Sequence, residues 1–346
     1  MLVSFIIPSY NSGHTIKRCL DSIYALPLGY NEFEIIFIDD CSTDNTCAIV
    51  EEYIASYPNI ILLKQPVNKR QGAARNRGVR AAKGLFICFV DSDDIVTAGI
   101  VSAIYTAKGS AADLIAFHTA TANEEGILKS EAQKLIFDKG QIFTGIEMQN
   151  RHAYWCSAPW GYIYRANFLS KVNYTFAEEV LYEDSDFIIA HLYAAKRMSY
   201  SSQLGYLACY REGSTIHSNN YKNKADYMLL GYRMLVLYRK IQRDIDLGIR
   251  KDEGIQQFAD SVLEGACWNI SKALTKLYKL NNYREIVLFY ERVDACLSRS
   301  ALYENKCLYK FPDYWNMLTR IGLKHKQLSI LLNSGLSLIY STFHKF

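Results

Sequence analysis

The sequence predicts an α/β fold, with a mostly parallel sheet flanked by helices and a C-terminal helical region after it. Short apolar runs alternate with helical patterns through the first hundred residues of the 346-residue chain. These runs lack the apolar–polar alternation of strands that face water on one side, which indicates strands covered on both faces. Beyond Asn220 the apolar residues follow helical spacing, so we expect mainly helices there.

The predicted elements follow one another in a regular order. Strands are expected at residues 3–8, 33–38, 60–63 and 85–90, separated by helices that carry Ile16, Leu20 and Ile23, then Ala48, Ile49, Tyr53 and Ile54, then residues 72–82. A strand at 114–117, a hairpin turn at 123–126, a helix opening at 183–186 and short strands at 197–201 and 205–210 follow. A long helix over 226–244 then places a boundary near residue 220, with the halves 1–112 and 113–220 before it and the helical region 221–346 after it.

Composition and charge narrow the class of protein. Half of the residues are hydrophobic, which allows a sizeable core, and a net charge of +4 does not indicate a nucleic-acid partner. The nine cysteines are scattered, without a C-x-x-C pair, and favour a reducing, cytoplasmic location. The apolar start lacks a basic n-region and is interpreted as a strand, and no apolar run reaches the length of about 18 residues that a transmembrane helix needs.

The most informative segment is the acidic one, Asp91-Ser92-Asp93-Asp94, which closes the fourth predicted strand. Crowded carboxylates repel one another unless a cation lies among them, and carboxylate oxygens are ligands that hard divalent cations prefer. The segment therefore predicts a site for a divalent metal whose partner is a phosphate. An acidic turn or a helix cap is the alternative, because aspartate is common in both.

Polar residues also follow the other three predicted strands. They are Ser9, Tyr10 and Asn11, then Asp39 and Asp40, then Gln65, Asn68, Lys69 and Arg70. Ligands of open α/β sheets bind beyond the carboxyl ends of the strands, so we expect these groups to share one edge with the acidic segment. Basic residues opposite carboxylates suit a diphosphate that is held between cations and a metal.

Five motifs resemble those of glycosyltransferase family 2, the inverting enzymes with the GT-A fold, which has a Rossmann-like, mostly parallel sheet flanked by helices. The motifs are SFIIPSYN (residues 4–11), IDDCSTD (38–44), GAARNRG (72–78), DSDD (91–94) and Glu183-Asp184. Their order and spacing fit the family over residues 2–217, and the likeness is to bacterial members that build polysaccharides and glycoconjugates. The helical part that follows has no match in the pattern.

The resemblance implies how the chain would hold a nucleotide-sugar donor, expected to be a UDP-sugar. The ring of Tyr10 would stack on the base, and Asp40 would accept a hydrogen bond from uracil, while Asp39 braces the turn. The full set of donor-binding residues implied by the resemblance is Pro8, Ser9, Tyr10, Asn11, Asp40, Arg75 near the diphosphate, and Asp91 with Ser92 near the ribose. The structural alternatives are an ordinary strand-end tyrosine at Tyr10 and a solvated helix residue at Arg75.

The resemblance also implies metal ligands and a catalytic base. Mn²⁺ or Mg²⁺ would bridge the two phosphates of the donor, held by Asp93, with Asp94 sharing the ligation and His217 as a third ligand. Asp184 would take the proton of the acceptor hydroxyl. The structural alternatives are a solvated loop histidine at His217 and an aspartate that only caps a helix at Asp184.

The acceptor implied by the resemblance is a hydroxyl of a glycan or of a lipid-linked glycan in surface polysaccharide synthesis. Trp155, Trp160 and Tyr162 can stack on its sugar rings or pack in the core. The tail, residues 324–346, has apolar residues at helical spacing between basic flanks. Three interpretations of the tail are open: peripheral contact with the inner face of the cell membrane, a homo-oligomer contact, or core packing.

Two other functions stand against glycosyl transfer. A sugar-1-phosphate nucleotidylyltransferase shares the α/β pattern, but that class opens with a Gly-rich phosphate loop where this chain has Pro8-Ser9-Tyr10-Asn11. A catalytically inactive scaffold subunit that binds sugar nucleotides would not need Asp93 and Asp184, which are both present.

Overall fold

The computed structural model describes residues 1–131, 137, 140–152, 158–210 and 221–277. Their strands are β1 (Val3–Ser9), β2 (Phe33–Asp39), β3 (Ile60–Lys64), β4 (Phe86–Phe89), β5 (Ile95–Val96), β6 (Leu114–Ala122), β7 (Leu128–Glu131), β8 (Tyr162–Arg165) and β9 (Met198–Cys209). Their helices are α1 (Ile16–Tyr24), α2 (Thr46–Ser56), α3 (Arg70–Ala81), α4 (Gly99–Gly109), α5 (Gly145–Arg151), α6 (Ala166–Val172), α7 (Asp184–Ala194), α8 (Tyr221–Asp246) and α9 (Ile255–Leu277), with a 3₁₀ turn at Pro159–Gly161. Three predicted features, Trp155, His217 and the tail, lie outside the described residues.

The first four strands form the parallel half of one sheet, in the order β3-β2-β1-β4. Every residue of β1 and β2 is buried, which agrees with strands covered on both faces. Phe5 and Ile7 join Ile16 and Leu20 of α1 in one apolar cluster. The predicted parallel arrangement of these strands is confirmed, and their carboxyl ends lie at one edge of the sheet.

The second half of the sheet is mixed rather than parallel, and it continues in the order β8-β6-β9-β5. Strand β8 runs antiparallel to β4 and β6, while β9 runs parallel to β6 and antiparallel to β5. The prediction of two short strands at 197–201 and 205–210 is wrong, because one strand, β9, covers both. The register with β6 shifts between Phe117 and Thr119, so the predicted break is an irregularity inside a continuous strand.

A proline in the central strand β1 is accommodated because the pairing with β4 ends before it. The amide of Val90 donates to the carbonyl of Ile6 at 3.0 Å, the last bond on that side of β1. Pro8 lies two residues later and therefore faces the same side, past the end of the ladder. Its missing N–H leaves no gap between strands, and the chain can turn there into the loop that carries Tyr10.

The chain divides into two compact units. Of the described residues, the first unit contains those up to residue 210 together with residues 237–262, and the second contains residues 221–236 and 263–277. In the second unit, Gly231 lies close to the backbone of Ala266 and Ile270, so α8 and α9 pack closely there. Among the described residues, no helix has the length and apolar content needed to cross a membrane. The predicted boundary near residue 220 stays a prediction.

Candidate active site

The loops that follow β1 and β2 are tied together at the carboxyl edge of the sheet. The amide of Asn11 donates to Ser42 Oγ at 2.9 Å, and Asn11 Oδ1 accepts from the amide of Thr43 at 2.8 Å. Asn11 adopts a φ of 50°, a left-handed conformation that asparagine tolerates better than most residues. Tyr10, one residue earlier, is 50% exposed. Its ring is therefore available to a planar ligand, as the predicted stacking role requires.

Asp40 organises the loop between β3 and α3. Its Oδ1 accepts hydrogen bonds from Gln65 Nε2 at 2.6 Å and from the amide of Lys69 at 2.7 Å. Burial raises the pKa of Asp40, and these two hydrogen bonds oppose the increase. The carboxylate of its neighbour Asp39 accepts from the amide of Ser42 at 3.2 Å, which is the bracing role expected for that residue. The contact of Asp40 with uracil stays a prediction.

Arg75 is the buried centre of the site. Its side chain is 2% exposed, and its Nη2 lies 2.8 Å from Asp91 Oδ1, while its Nη1 pairs with Glu183 Oε1. Burial disfavours the charged guanidinium, but Asp91, Glu183 and Asp184 more than offset this and raise the pKa of Arg75. Arg75 thus joins the end of β4 to the start of α7, which the sequence separates by about ninety residues.

Two other residues of the GAARNRG motif fasten α3 to the segment before α7. Asn76 Nδ2 donates to the carbonyl of Phe176 at 3.0 Å, and its Oδ1 accepts from the amide of the same residue at 3.0 Å. A Cβ at Gly72 would overlap the carbonyl oxygen of Ala177. A glycine at this point therefore lets two backbones approach closely. The motif positions Glu183 and Asp184 as well as its own arginine.

We expect Gly72→Ala to destabilise the protein by about 1–3 kcal/mol, because the added methyl group forces two backbones apart. Gly109→Ala is the matched control, since no atom lies within 4 Å of a Cβ built at that position. The free energy of unfolding, measured with urea, should change by no more than about 0.5 kcal/mol in this control. Equal stability of the two variants would contradict the close approach at Gly72.

The four residues of the acidic segment, 91–94, have different surroundings. Asp91 faces Arg75, and Ser92 Oγ lies 2.7 Å from Ser12 Oγ, so that the hydroxyl of Ser92 links two strand-end loops. Asp93 is half-buried, and its carbonyl accepts from Arg18 Nη2 at 2.6 Å. Asp94 is 5% exposed. Burial, with the charges of Asp91 and Asp93, raises the pKa of Asp94 well above its usual range.

Asp184 begins helix α7 next to the pair of Glu183 and Arg75. Burial and the neighbouring Glu183 raise the pKa of Asp184 to about 7, and the positive charge of Arg75 opposes the increase. A carboxylate with this pKa can accept a proton near neutral pH and is therefore suited to general-base catalysis. Burial also raises the pKa of Glu183, against the lowering effect of Arg75.

The acidic segment fits a metal that the donor helps to hold. Among the described residues, no group of three or more histidine, cysteine or acidic side chains is arranged as a metal site. Magnesium is commonly held by one or two carboxylates together with substrate phosphates, rather than by a cage of protein ligands alone. Asp93, half-buried at the end of β4, suits that kind of site. Asp94 as a shared ligand stays a prediction, and His217 lies outside the described residues.

The local sequence pattern did not reveal two features of the site. The pairing of Arg75 with Glu183 joins residues 108 positions apart, and Tyr206, which contacts the acidic segment, lies 112 positions from Asp94. Two of the predicted acceptor-stacking aromatics pack internally: Tyr162 is 1% exposed, and Trp160 lies parallel to the ring of Tyr206. Gly72, Ala73 and Ala74 before Arg75, and Gly78 three positions after it, are a sequence signal of a closely packed helix face.

Comparison with known proteins places this architecture in a family. Residues 4–165 match the family model described as Glycosyl transferase family 2. This segment is a family 2 glycosyltransferase domain. It contains four of the five motifs named above, and the predicted family is confirmed.

Individual relatives of this family 2 domain are also named as glycosyltransferases. The chain is 41% identical over 97 residues to a poly(ribitol-phosphate) beta-glucosyltransferase of Bacillus spizizenii, a match over 28% of this chain and 15% of the relative. It is 29% identical over 210 residues to the uncharacterized glycosyltransferase YibD of Escherichia coli, a match over 58% of this chain and 59% of the relative. The chain thus spans less than two thirds of the length of these curated relatives.

A solved structure confirms the fold. The crystal structure of S. aureus TarS 1–349 in complex with UDP-GlcNAc aligns with a TM-score of 0.56 at 21% identity, over 85% of this chain and 91% of that one. At this identity the likeness concerns the fold, which is the GT-A-like mixed α/β sheet with flanking helices that the motifs implied.

Proposed function

We propose that the protein transfers a sugar from a nucleotide-sugar, a UDP-sugar, to a hydroxyl of a glycan or lipid-linked glycan, with inversion at the anomeric carbon, in surface polysaccharide synthesis. The observation that carries the proposal is the buried bridge from Asp91 through Arg75 to Glu183. This bridge supports Asp184 as the base, because it links the start of α7 to the strand ends, where open α/β sheets bind ligands.

Donor binding is assigned to the loops at the ends of β1, β2 and β4. The half-exposed ring of Tyr10 supports stacking on the base, and Asp40 shapes the loop beside it. The UDP-GlcNAc complex of S. aureus TarS, which shares the fold, supports a uridine nucleotide as the donor carrier. Relatives named for transfer to poly(ribitol-phosphate) support a polymeric acceptor that presents hydroxyl groups.

Asp93 is the residue that would hold Mn²⁺ or Mg²⁺ against the donor phosphates. When bound, such a metal neutralises the negative charge that develops on the departing nucleotide. Asp91 keeps Arg75 in place, and the guanidinium adds a fixed positive charge to the same edge. The cytoplasmic location, the homo-oligomer and the membrane contact of the tail stay predictions.

Asp184 would remove the proton of the acceptor hydroxyl as its oxygen attacks the anomeric carbon from the face opposite the nucleotide. The bond from the acceptor oxygen to that carbon forms while the bond from the carbon to the phosphate oxygen breaks. One displacement gives a product of inverted configuration and requires one base. Glu183, which is held by Arg75, fixes the first turn of α7 and with it the place of Asp184.

The experiment that tests the proposal is calorimetric titration with UDP, with and without Mn²⁺. The wild type should bind UDP more tightly when Mn²⁺ is present. Tyr10→Ala should weaken UDP binding about tenfold or more in either condition, because stacking of a base on an aromatic ring is worth about 1–3 kcal/mol. Asp93→Asn should abolish only the gain that Mn²⁺ provides.

Tyr105→Ala is the matched control. Tyr105 is another exposed tyrosine, 44% accessible, and it lies in α4, a helix that follows β4 in the chain. It should bind UDP as the wild type does. Failure of the wild type to bind UDP under both conditions would overturn the proposed donor. Normal binding by Tyr10→Ala would place the base elsewhere.

A further inference from the structure

One tyrosine of strand β9, Tyr206, forms hydrogen bonds with the acidic segment. We propose that Tyr206 and Asp94 form a buried clamp that holds the acidic segment in the shape in which Asp93 can bind a metal, and that both act as positioning residues. This inference rests on the proposed function of the site. It gives Asp94 a role other than the metal ligation that its place in the motif predicts.

The clamp consists of three hydrogen bonds. Tyr206 Oη accepts from the amide of Asp91 at 3.0 Å and donates to Asp94 Oδ2 at 2.6 Å. The other oxygen of that carboxylate, Oδ1, accepts from the amide of Cys209 at 2.7 Å. Tyr206 therefore touches both the first and the last residue of the acidic segment, and a second bond from β9 holds the last one.

The tyrosine itself is held rigidly. It is fully buried, and its ring lies 4.6 Å from that of Trp160 at an interplanar angle of 2°. Its backbone pairs with Val96 of β5, the strand that starts directly after the acidic segment. Because Trp160 stacks on the ring and strand pairing holds the backbone, the position of the hydroxyl is determined before any ligand arrives. Such preorganisation is what a site for a charged donor requires.

The clamp gives the three aspartates of the acidic segment different roles. Both oxygens of Asp94 face β9, and its side chain is buried. Asp91 and Asp93 are half-buried, and Asp91 pairs with Arg75. Asp94 thus serves as the anchor that sets the direction of the carboxylate of Asp93. Groups that orient a metal ligand from behind typically change metal affinity by about 10–100-fold when removed.

Calorimetry with UDP, with and without Mn²⁺, tests the clamp through Tyr206→Phe. This variant keeps the ring against Trp160 and removes only the hydroxyl. The gain in UDP affinity that Mn²⁺ provides should fall by about tenfold or more. UDP affinity without the metal should stay within about twofold of the wild type, because Tyr10 and Asp40 are unchanged. A purely structural role would alter neither value in protein that remains folded.

Tyr193→Phe is the matched control. The hydroxyl of Tyr193 also donates to an aspartate, Asp244 Oδ2 at 2.7 Å, but Tyr193 lies at the opposite end of α7 from Asp184. It removes an equivalent hydrogen bond and should keep the full response to Mn²⁺. A normal response in Tyr206→Phe, or an equal loss in Tyr193→Phe, would overturn the clamp.

Asp94→Asn separates an anchor from a metal ligand and remains informative if Tyr206→Phe does not fold. Asparagine keeps the shape. Its oxygen can still accept from the amide of Cys209, and its amide nitrogen can donate to Tyr206 Oη, so both contacts with β9 remain with one hydrogen bond reversed. As an anchor, it should retain the response to Mn²⁺ within a few-fold, whereas Asp93→Asn loses it. Equal loss in both variants would make Asp94 a ligand and overturn the inference. A wild type that binds no UDP would instead overturn the proposed function, and a wild type indifferent to Mn²⁺ would overturn the metal assignment.

Discussion

Asp184→Asn is expected to reduce sugar transfer by about two to four orders of magnitude while UDP binding persists, because an amide cannot take the proton of the acceptor hydroxyl. The side chain keeps nearly the same size at the start of α7, so folding should change little. Donor-binding groups come from other strand ends, so the loss should appear in kcat more than in the donor KM. Steady-state kinetics with a UDP-sugar and an acceptor glycan measure both.

The pH profile gives this prediction a second measurement. A general base acts in its deprotonated form, and the pKa of Asp184 is raised to about 7. Transfer by the wild type should therefore rise about tenfold per pH unit below neutrality and level off above it. In Asp184→Asn the residual rate should lose this dependence. The wild-type product should have inverted anomeric configuration, since one displacement with one base gives inversion.

Asp186→Asn is the control for Asp184→Asn, because both residues lie in the first turn of α7. Asp186 Oδ2 accepts from the hydroxyl of Tyr174 at 2.6 Å, a contact that an asparagine oxygen can keep. Loss of negative charge from the helix N-terminus is the same in both variants. Near-normal transfer by Asp184→Asn, equal losses in the two variants, or a product of retained configuration would each count against Asp184 as the base.

The sequence predicted the parallel half of the fold because its signal is local. Each of the four strands is a short apolar run, and the polar group that follows each run lies at the edge where the sheet directs it. The helices α3 and α7 also carried local signals in the GAARNRG motif and in Glu183-Asp184. Periodicity and turn chemistry are enough for elements of this kind.

The contacts that complete the site could not be predicted, because they join distant parts of the chain. Arg75 was expected beside a diphosphate, and its partners in the structure are two carboxylates, one of them 108 positions away. Tyr206 lay in a segment with no motif, and its importance depends on the fold that brings β9 against the acidic segment. The irregular register of β9 was likewise invisible, since two short strands and one bulged strand have the same local pattern.

Arg75→Met should cost about 3–5 kcal/mol of folding stability, the usual consequence of removing one partner from a buried charge pair. Methionine fills much of the space but supplies no charge, so the carboxylates of Glu183 and Asp91 lose their cation. Glu183, 5% exposed, has little access to water. Arg77→Met is the control on the same helix, because the guanidinium of Arg77 donates to a backbone carbonyl, that of Lys64, near the surface. Urea unfolding compares the two.

The pH dependence of the Arg75→Met deficit identifies its cause. Arg75 lowers the pKa of Glu183 against the effect of burial, so its removal raises that pKa further. A carboxyl whose pKa is higher in the folded state than in the unfolded state does not destabilise the fold at low pH, because it is protonated in both states. The penalty appears as pH rises through the unfolded value of about 4.3 and grows until the folded group ionises. The deficit of the variant should therefore be larger at pH 8 than at pH 5.

Arg75→Lys decides whether charge alone is enough at this position. Lysine restores the positive charge but presents one ammonium group, which cannot reproduce the two-sided contact that the Arg75 guanidinium makes with Asp91 and Glu183. We expect it to recover part of the stability lost in Arg75→Met but little of the transfer activity, because the start of α7 would no longer be fixed relative to β4. Full recovery of transfer by lysine would mean that Arg75 supplies only charge. A deficit that does not change with pH would mean that Arg75→Met acts through packing against Phe176, whose ring centre lies 5.4 Å from the guanidinium carbon.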